Sequence, residues 1–431
     1  AVGAAARAGA ADAASTAGPG GGVRAAKAAA GLGGAADAAG GEGSSSGRKA
    51  AVPIRLGAHA PQTGRLARHG IEQMRGIRLA AEEYERRRGV PVRLLVYDDE
   101  SDPQKAAAAV EKLAGVERVH GIVGGYGSAL VGPASGVAER YDTPYLTTGA
   151  ADTRLSGRGL RNFFRLNHMP GYAAAQAGAI RSLFRAARVA ILVNSQSSTE
   201  ELGTEVRRRL EEAGVRVPVF ERFESGTTNF KPLLLKVRDA GCDVLVVEGY
   251  FPDYVASIRD AGILSLPVKA YVGAWGIGTP DFVREMGPLA EYVFGTSVWE
   301  KGTAPAAARR EEEEFVAAYR ARYGEEPSYI AMLGYLSARY MLDALAKGRG
   351  PDGVPDPART RSALRAMDTV GPLGRVAFDD RGDPRFFSAV LFQVRDGRPR
   401  VVWPRDRAAG KAAYPAVPWQ AGMRAGRPGG R

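Results

Sequence analysis

The stretch "VGGYGSALVGPAS", residues 123–135, concentrates the residue types best suited to chemistry: an apolar approach (Val119, Ile122, Val123), then closely set Gly and Ser, then a helix start. Three chemistries use such a turn, and spacing tests each. A dinucleotide cradle needs G-x-G-x-x-G, so that the backbone can approach a pyrophosphate at a helix N-terminus. Counted from Gly125 and Gly127, the third Gly falls on Leu130. A P-loop needs Lys after its last Gly, and Gly132 is followed by Pro133. A nucleophile elbow needs G-x-S-x-G, but Ser128 has Gly127 directly before it and Leu130 two places after. The spacing fits none of the three. Two readings of Ser128 remain. Its hydroxyl and the free N–H groups of a helix start bind an anion such as a carboxylate, or Ser128 is a plain N-cap.

The other reactive residues form no set. His59, His69, His120 and His168 show no ligand spacing, and Cys242 is the only cysteine, so neither a disulfide nor a Cys-based metal site is available within the chain. "GCDVLVVEG" places Cys242 at the start of a buried strand, where Cys acts as a small hydrophobe. No nucleophile–base pair or cofactor fingerprint is found. His69 and Ser128 can meet only across a cleft, with no orienting acid. The chain is therefore expected to be no enzyme, with no catalytic residue, no cofactor and no metal.

The 431 residues suggest two or more domains, and 45% hydrophobic with 25% charged residues is ordinary for a globular chain. The net charge of +12 comes from Arg scattered among acids, without the basic–aromatic interleaving of a nucleic-acid surface, so no nucleic-acid partner is expected. No apolar run approaches a membrane span. Residues 1–51 are almost wholly Ala, Gly and Ser and read as a disordered leader or tether, lacking the apolar core of a signal peptide. The tail 405–431 is Arg-, Gly- and Pro-rich and is expected to be loose.

From Val52 strand-length apolar runs alternate with helical patterns. Strands are expected at 54–60, 92–99, 119–125 and 143–149, and again at 188–194, 217–223, 242–249 and 268–274. Helices are expected near 71–88, 103–114 (Asp102 as cap, Pro103 in first position), 129–140, 171–186, 199–213, 229–240 and 252–262. Such alternation predicts an α/β fold of two similar lobes, each a largely parallel sheet flanked by helices. Long helices after Val298 and an antiparallel finish complete the chain. Sites in open α/β sheets lie beyond the carboxyl ends of the strands. That selects the loops at 59–70, 125–130, 147–152, 194–199, 248–253 and 273–278.

Over about 52–404 the chain resembles the type I periplasmic ligand-binding proteins, nearest to the branched-chain amino-acid (Leu/Ile/Val) binding family of ABC importers. The likeness rests on "IRLGAHAPQTGRLARHG", "VYDDESDPQKAAAAVEKL", "VHGIVGGYGSA", "TPYLTTGAADTRL", "TTNFKPLLLKVRDAGCDVLVVEG" and "FVAAYRARYGEEPSYIAMLGYLSARYMLDAL", in order and spacing. It implies a hinged clamp: lobe 1 from 52–169 plus 298–352, lobe 2 from 170–297 plus 353–404, with crossings near 169, 298 and 352. Ser128 falls where the family places a hydroxyl on the ligand carboxylate, and Gly149, with its neighbours Thr148 and Ala150, in the loop that assists it. His69 stands where an aromatic wall residue is common, and Tyr250 or Phe251 keeps an aromatic of the second lobe. Ala151 replaces a ligand-binding Thr, Ser198 a Tyr, and Trp275 the Glu that pairs with an α-ammonium. Glu248 or Asp253 could replace that Glu. The resemblance further implies a periplasmic or otherwise extracytoplasmic, tethered or free monomer. It would serve a membrane permease and bind a small carboxylate or amino acid. A ligand-sensing receptor module of the same fold is the alternative, and an α/β enzyme with an unrecognised site a minor one.

Overall fold

The computed structural model describes residues 52–419; the expected leader at 1–51 lies outside the described residues, as do residues 420–431. The first lobe is built from β1 (Ile54–Ala60), α1 (Ala67–Arg88), β2 (Val92–Asp98), α2 (Pro103–Glu111), β3 (Gly121–Tyr126), α3 (Ser128–Arg140), β4 (Tyr145–Gly149) and β5 (Phe163–Arg165). These strands form one sheet in the order β2-β1-β3-β4-β5, every pair parallel. The chain continues through α4 (Met169–Ala179), β6 (Arg188–Asn194), α5 (Ser197–Glu212), β7 (Arg216–Phe223), α6 (Lys231–Asp239), β8 (Val244–Glu248), α7 (Phe251–Ile263), β9 (Ala270–Gly273), α8 (Pro280–Met286) and β10 (Phe294–Ser297). Then follow α9 (Arg309–Tyr323), α10 (Tyr329–Lys347), α11 (Pro357–Arg365), the hairpin β11 (Asp368–Gly371) and β12 (Gly374–Ala377), and the hairpin β13 (Val390–Arg395) and β14 (Arg398–Trp403). The second sheet runs β14-β13-β10-β9-β8-β6-β7, parallel except at β13 and β14.

Local sequence explains the elements. Asp102 accepts a hydrogen bond from the Lys105 N–H (2.9 Å) and Pro103 opens α2, as the sequence predicts. Val244–Val247 of β8 are wholly buried, the mark of a central parallel strand covered on both faces. Helices α1 and α10 approach backbone to backbone. A Cβ on Gly76 would stand 2.0 Å from the Ala331 carbonyl oxygen, and one on Gly334 2.2 Å from that of Gln73. Only glycine permits this crossing.

Two expectations change. The third crossing falls later than 352: α11 packs on α10, and Arg361 donates to Asp142 (2.6 Å) and Asn162 (3.0 Å) of the first lobe. The chain reaches the second sheet only after β12. The segment 405–419 is also not loose. Val417 is 1% exposed in the core of the second sheet, and the Trp419 indole donates to the Leu266 carbonyl (2.8 Å). Apolar residues hidden in a basic, Pro-rich context do this. β5 and β10 were not expected at all, being too short for a periodic signal.

Candidate binding site

In both sheets the strand order reverses once, between β1 and β3 and between β6 and β8. Loops at such switch points leave a crevice at the strand ends. Here the two crevices face each other across a narrow cavity of about 20 Å³, room for one water and well short of the roughly 300–1,000 Å³ of ligand pockets, so a ligand must part its walls to enter.

Of the residues expected at the site, Ser128, Gly149, Ala151, Ser198, Tyr250 and Trp275 line this cavity. Four others do not. Thr148 is buried, its hydroxyl donating to the Gly125 carbonyl (3.2 Å). Ala150 is wholly buried. Phe251 lies under the Arg68 guanidinium, 4.6 Å from its ring centroid. His69 stands one layer back, stacked on Tyr126 at 4.6 Å, so it supports a wall rather than forming one. Burial and the neighbouring Arg68 lower its pKa to about 4, so the ring is neutral at pH 7 and supplies no positive charge.

Ser128 is not the N-cap of α3. That position belongs to Gly127 with φ of +93°, and Ser128 is the first helical residue. Its hydroxyl oxygen accepts the Asp152 N–H (3.2 Å), which leaves the O–H to donate elsewhere. Gly149 is required by its neighbour, because a Cβ there would come within 2.5 Å of the Tyr126 ring.

The cavity is rich in rings. Trp275 meets Tyr172 edge-on (5.7 Å) and lies over Tyr250 (6.4 Å), while Ser198 and Tyr250 share a hydroxyl hydrogen bond (3.1 Å). Tyr126, Gly127, Asn167 and Tyr329 complete the lining, and none of them was read from the sequence as a ligand residue. Asn167 stands in a crossing between the lobes, its amide donating to the Thr148 carbonyl (2.9 Å) and its carbonyl accepting from Tyr172 (3.0 Å). The buried Tyr329 hydroxyl meets no partner in regular geometry, with the Tyr126 phenol beside it. No sequence motif pointed to Asn167 or Tyr329; an Asn after a short strand and a Tyr after Ser328 are too common to signal.

Electrostatics favour an anion. Ser128, Ser198 and Tyr250 mark the N-termini of α3, α5 and α7, whose partial positive ends converge here. No Asp or Glu lines the cavity. Asp253, a candidate ammonium partner, is spent on α7, accepting from the Tyr250 N–H (2.9 Å) and the Asn194 amide (3.0 Å). Glu248 is wholly buried outside the lining with neither oxygen in hydrogen-bonding geometry, and desolvation raises its pKa to about 8.

A second polar series, Asp99–His59–Tyr145 (2.9 and 2.7 Å), has the order of a proton relay. All three residues are wholly buried, and the series ties β1 to β4 and to the end of β2. Among the described residues no group of three or more His, Cys, Asp or Glu is placed to hold a metal, and no helix is long and apolar enough to cross a membrane.

Two α/β lobes that face each other across an anion-favouring, ring-lined cavity have the architecture of a type I ligand-binding fold. The chain belongs to the periplasmic binding protein family, whose profile matches residues 53–398. A Leucine-, isoleucine-, valine-, threonine-, and alanine-binding protein of Pseudomonas aeruginosa is 28% identical over 80% of this chain and 90% of its own. The fold is also that of the branched-chain amino acid transporter substrate binding protein LivJ of Streptococcus pneumoniae, solved with isoleucine. That likeness has a TM-score of 0.73 and 21% identity, over 82% of this chain and 100% of LivJ. An ABC transporter solute binding protein of R. palustris, solved with benzoate, matches with TM-score 0.71 and 18% identity over 85% and 97%. At such identities the solved structures establish the fold.

Proposed function

We propose that this chain is the extracytoplasmic solute-binding component of an ABC importer, delivering its ligand to a membrane permease. Its ligand is a small carboxylate with a flat or apolar body. The carrying observation is the make-up of the cavity. Helix N-termini and the Ser128 hydroxyl await an anion, Trp275, Tyr250, Tyr126 and Tyr329 await a ring, and no lining carboxylate awaits an ammonium. An ammonium buried without an anionic partner is costly. The benzoate-bound R. palustris protein supports this choice, since the same fold there holds an aromatic carboxylate.

The second reading is a branched-chain amino acid, favoured by the name of the Pseudomonas relative. It requires a carboxylate to turn toward the cavity, and Glu248 is the candidate. A thermal-shift panel separates the two, because a ligand that binds only the folded state raises the melting temperature with concentration. Benzoate and related carboxylates are expected to stabilise the protein and leucine, isoleucine and valine are not. The reverse pattern would sink the carboxylate reading.

A further inference from the structure

A second groove, about 1550 Å³ including its open mouth, lies where residues 302–309, the tip of the β11–β12 hairpin, residues 385–388 and residues 406–409 meet. Both lobes supply walls. Residues 302–309 lead into α9, which packs on α1, whereas 385–388 and 406–409 flank the β13–β14 hairpin of the second sheet. Four arginines line the groove (Arg309, Arg375, Arg385 and Arg407) against one carboxylate, Asp406.

The four differ in what already holds them. Arg375 is fixed by two bonds to Asp368 (2.8 and 2.6 Å), and its guanidinium lies 4.4 Å from the centroid of the Phe386 ring. It thereby props up a Phe that remains 45% exposed. Arg407 is half-buried, yet donates only to neutral acceptors, the Ser388 carbonyl (3.1 Å) and hydroxyl (3.2 Å). Arg309 and Arg385 form no ion pair among the described residues, although Glu312 and Asp368 act on them at longer range. Guanidinium forks with neutral acceptors or none match oxyanions, which accept two parallel N–H bonds from each. The exposed ring adds an apolar floor.

We propose that this groove binds a small multivalent oxyanion, gripped by Arg309, Arg385 and Arg407 and seated against Phe386. Because its walls come from both lobes, such an anion holds them in their present relation. The site shares no residue with the cavity, and its test needs no cavity ligand.

Citrate and pyrophosphate serve as probes in calorimetric titrations at low salt, one carrying carboxylates and the other phosphates. Single-site binding of either is expected, weakening as salt screens the charges. The double variant Arg309→Gln, Arg385→Gln is expected to lose about tenfold or more in affinity, with an unchanged circular dichroism spectrum. Each single variant, on an exposed side chain, should show a smaller loss in the same direction. Ser128→Ala should leave the titration unchanged. Hydrogen exchange in 384–388 should slow when the probe is bound. Absence of binding, or affinity indifferent to both arginines, would overturn the proposal. So would loss of binding in Ser128→Ala, since the anion would then be occupying the cavity.

Discussion

At the residue scale, Ser128 carries the sharpest test. Its hydroxyl accepts one loop N–H and retains its own proton for a ligand. Ser128→Ala is expected to weaken carboxylate binding by about 1–3 kcal/mol, the usual value of a hydrogen bond to a charged group. Because Gly127 holds the cap position, stability of the free protein should fall far less, and calorimetry paired with denaturation checks both. Glu248 gives a pH signature instead. Its folded pKa of about 8 lies above the ordinary 4.5. The folded state therefore keeps a proton that the unfolded chain releases, and stability falls as pH rises from about 4.5 to about 8. Gln176 stands ready for that proton, its amide donating to Thr296 (3.3 Å) and its buried oxygen lacking a partner. Glu248→Gln should flatten this slope and gain on the order of 3 kcal/mol at pH 7, read from urea midpoints across pH. Six lining residues were legible because they sit in strand-end loops whose motifs match the family resemblance. Tyr329 was not, since it reaches the cavity only through the packing of a helix some 200 residues further along the chain.

The elements were easier to read than the residues wherever they were long. β1 spans the seven residues that its apolar run marks, and α2 begins at the Pro that follows its capping Asp. β5, with three residues, and β10, with four, carry too few positions for any period to show. The route of α11 was misplaced for another reason. Its amphipathic pattern announces a buried face but not which lobe receives it, and Arg361 decides that through Asp142 and Asn162. The crossing of α1 and α10 was invisible, because a lone Gly in a helix reads only as a weak position. In the fold Gly76 and Gly334 let two backbones touch. Gly76→Ala must push α10 outward, since the obstacle is main chain and cannot rotate away. A loss of about 2 kcal/mol or more is expected, well beyond the small gain that Ala brings to a helix interior. Guanidinium denaturation measures it, and Gly136→Ala, where a Cβ meets nothing within 4 Å, supplies the control.

At the scale of the whole molecule, the lobes are joined by polar contacts around the cavity as well as by the connecting chain. The Thr153 N–H and hydroxyl both donate to the Glu201 carboxylate, the N–H at 3.1 Å. The Ser197 hydroxyl donates to Asp152 (3.1 Å), and Arg68 of α1 reaches Glu285 of α8 (3.2 Å). The Arg68–Glu285 pair is exposed and contributes little. The Thr153–Glu201 pair is half-buried and joins the loop after β4 to α5, so it forms only when the lobes meet. A contact made in one state alone shifts the balance toward that state by its full worth, about 1 kcal/mol here. Glu201→Ala should therefore leave the cavity lining untouched yet lower apparent affinity severalfold, because a smaller share of the protein is closed and competent. Small-angle scattering distinguishes this from damage at the site. The wild type is expected to contract when saturated with a carboxylate that the thermal-shift panel identifies. The variant should begin from a larger radius of gyration and reach the same final value at higher ligand concentration. A ligand that binds tightly without changing the radius in either protein would mean that the lobes do not move, and that Glu201 fastens the fold rather than its closure.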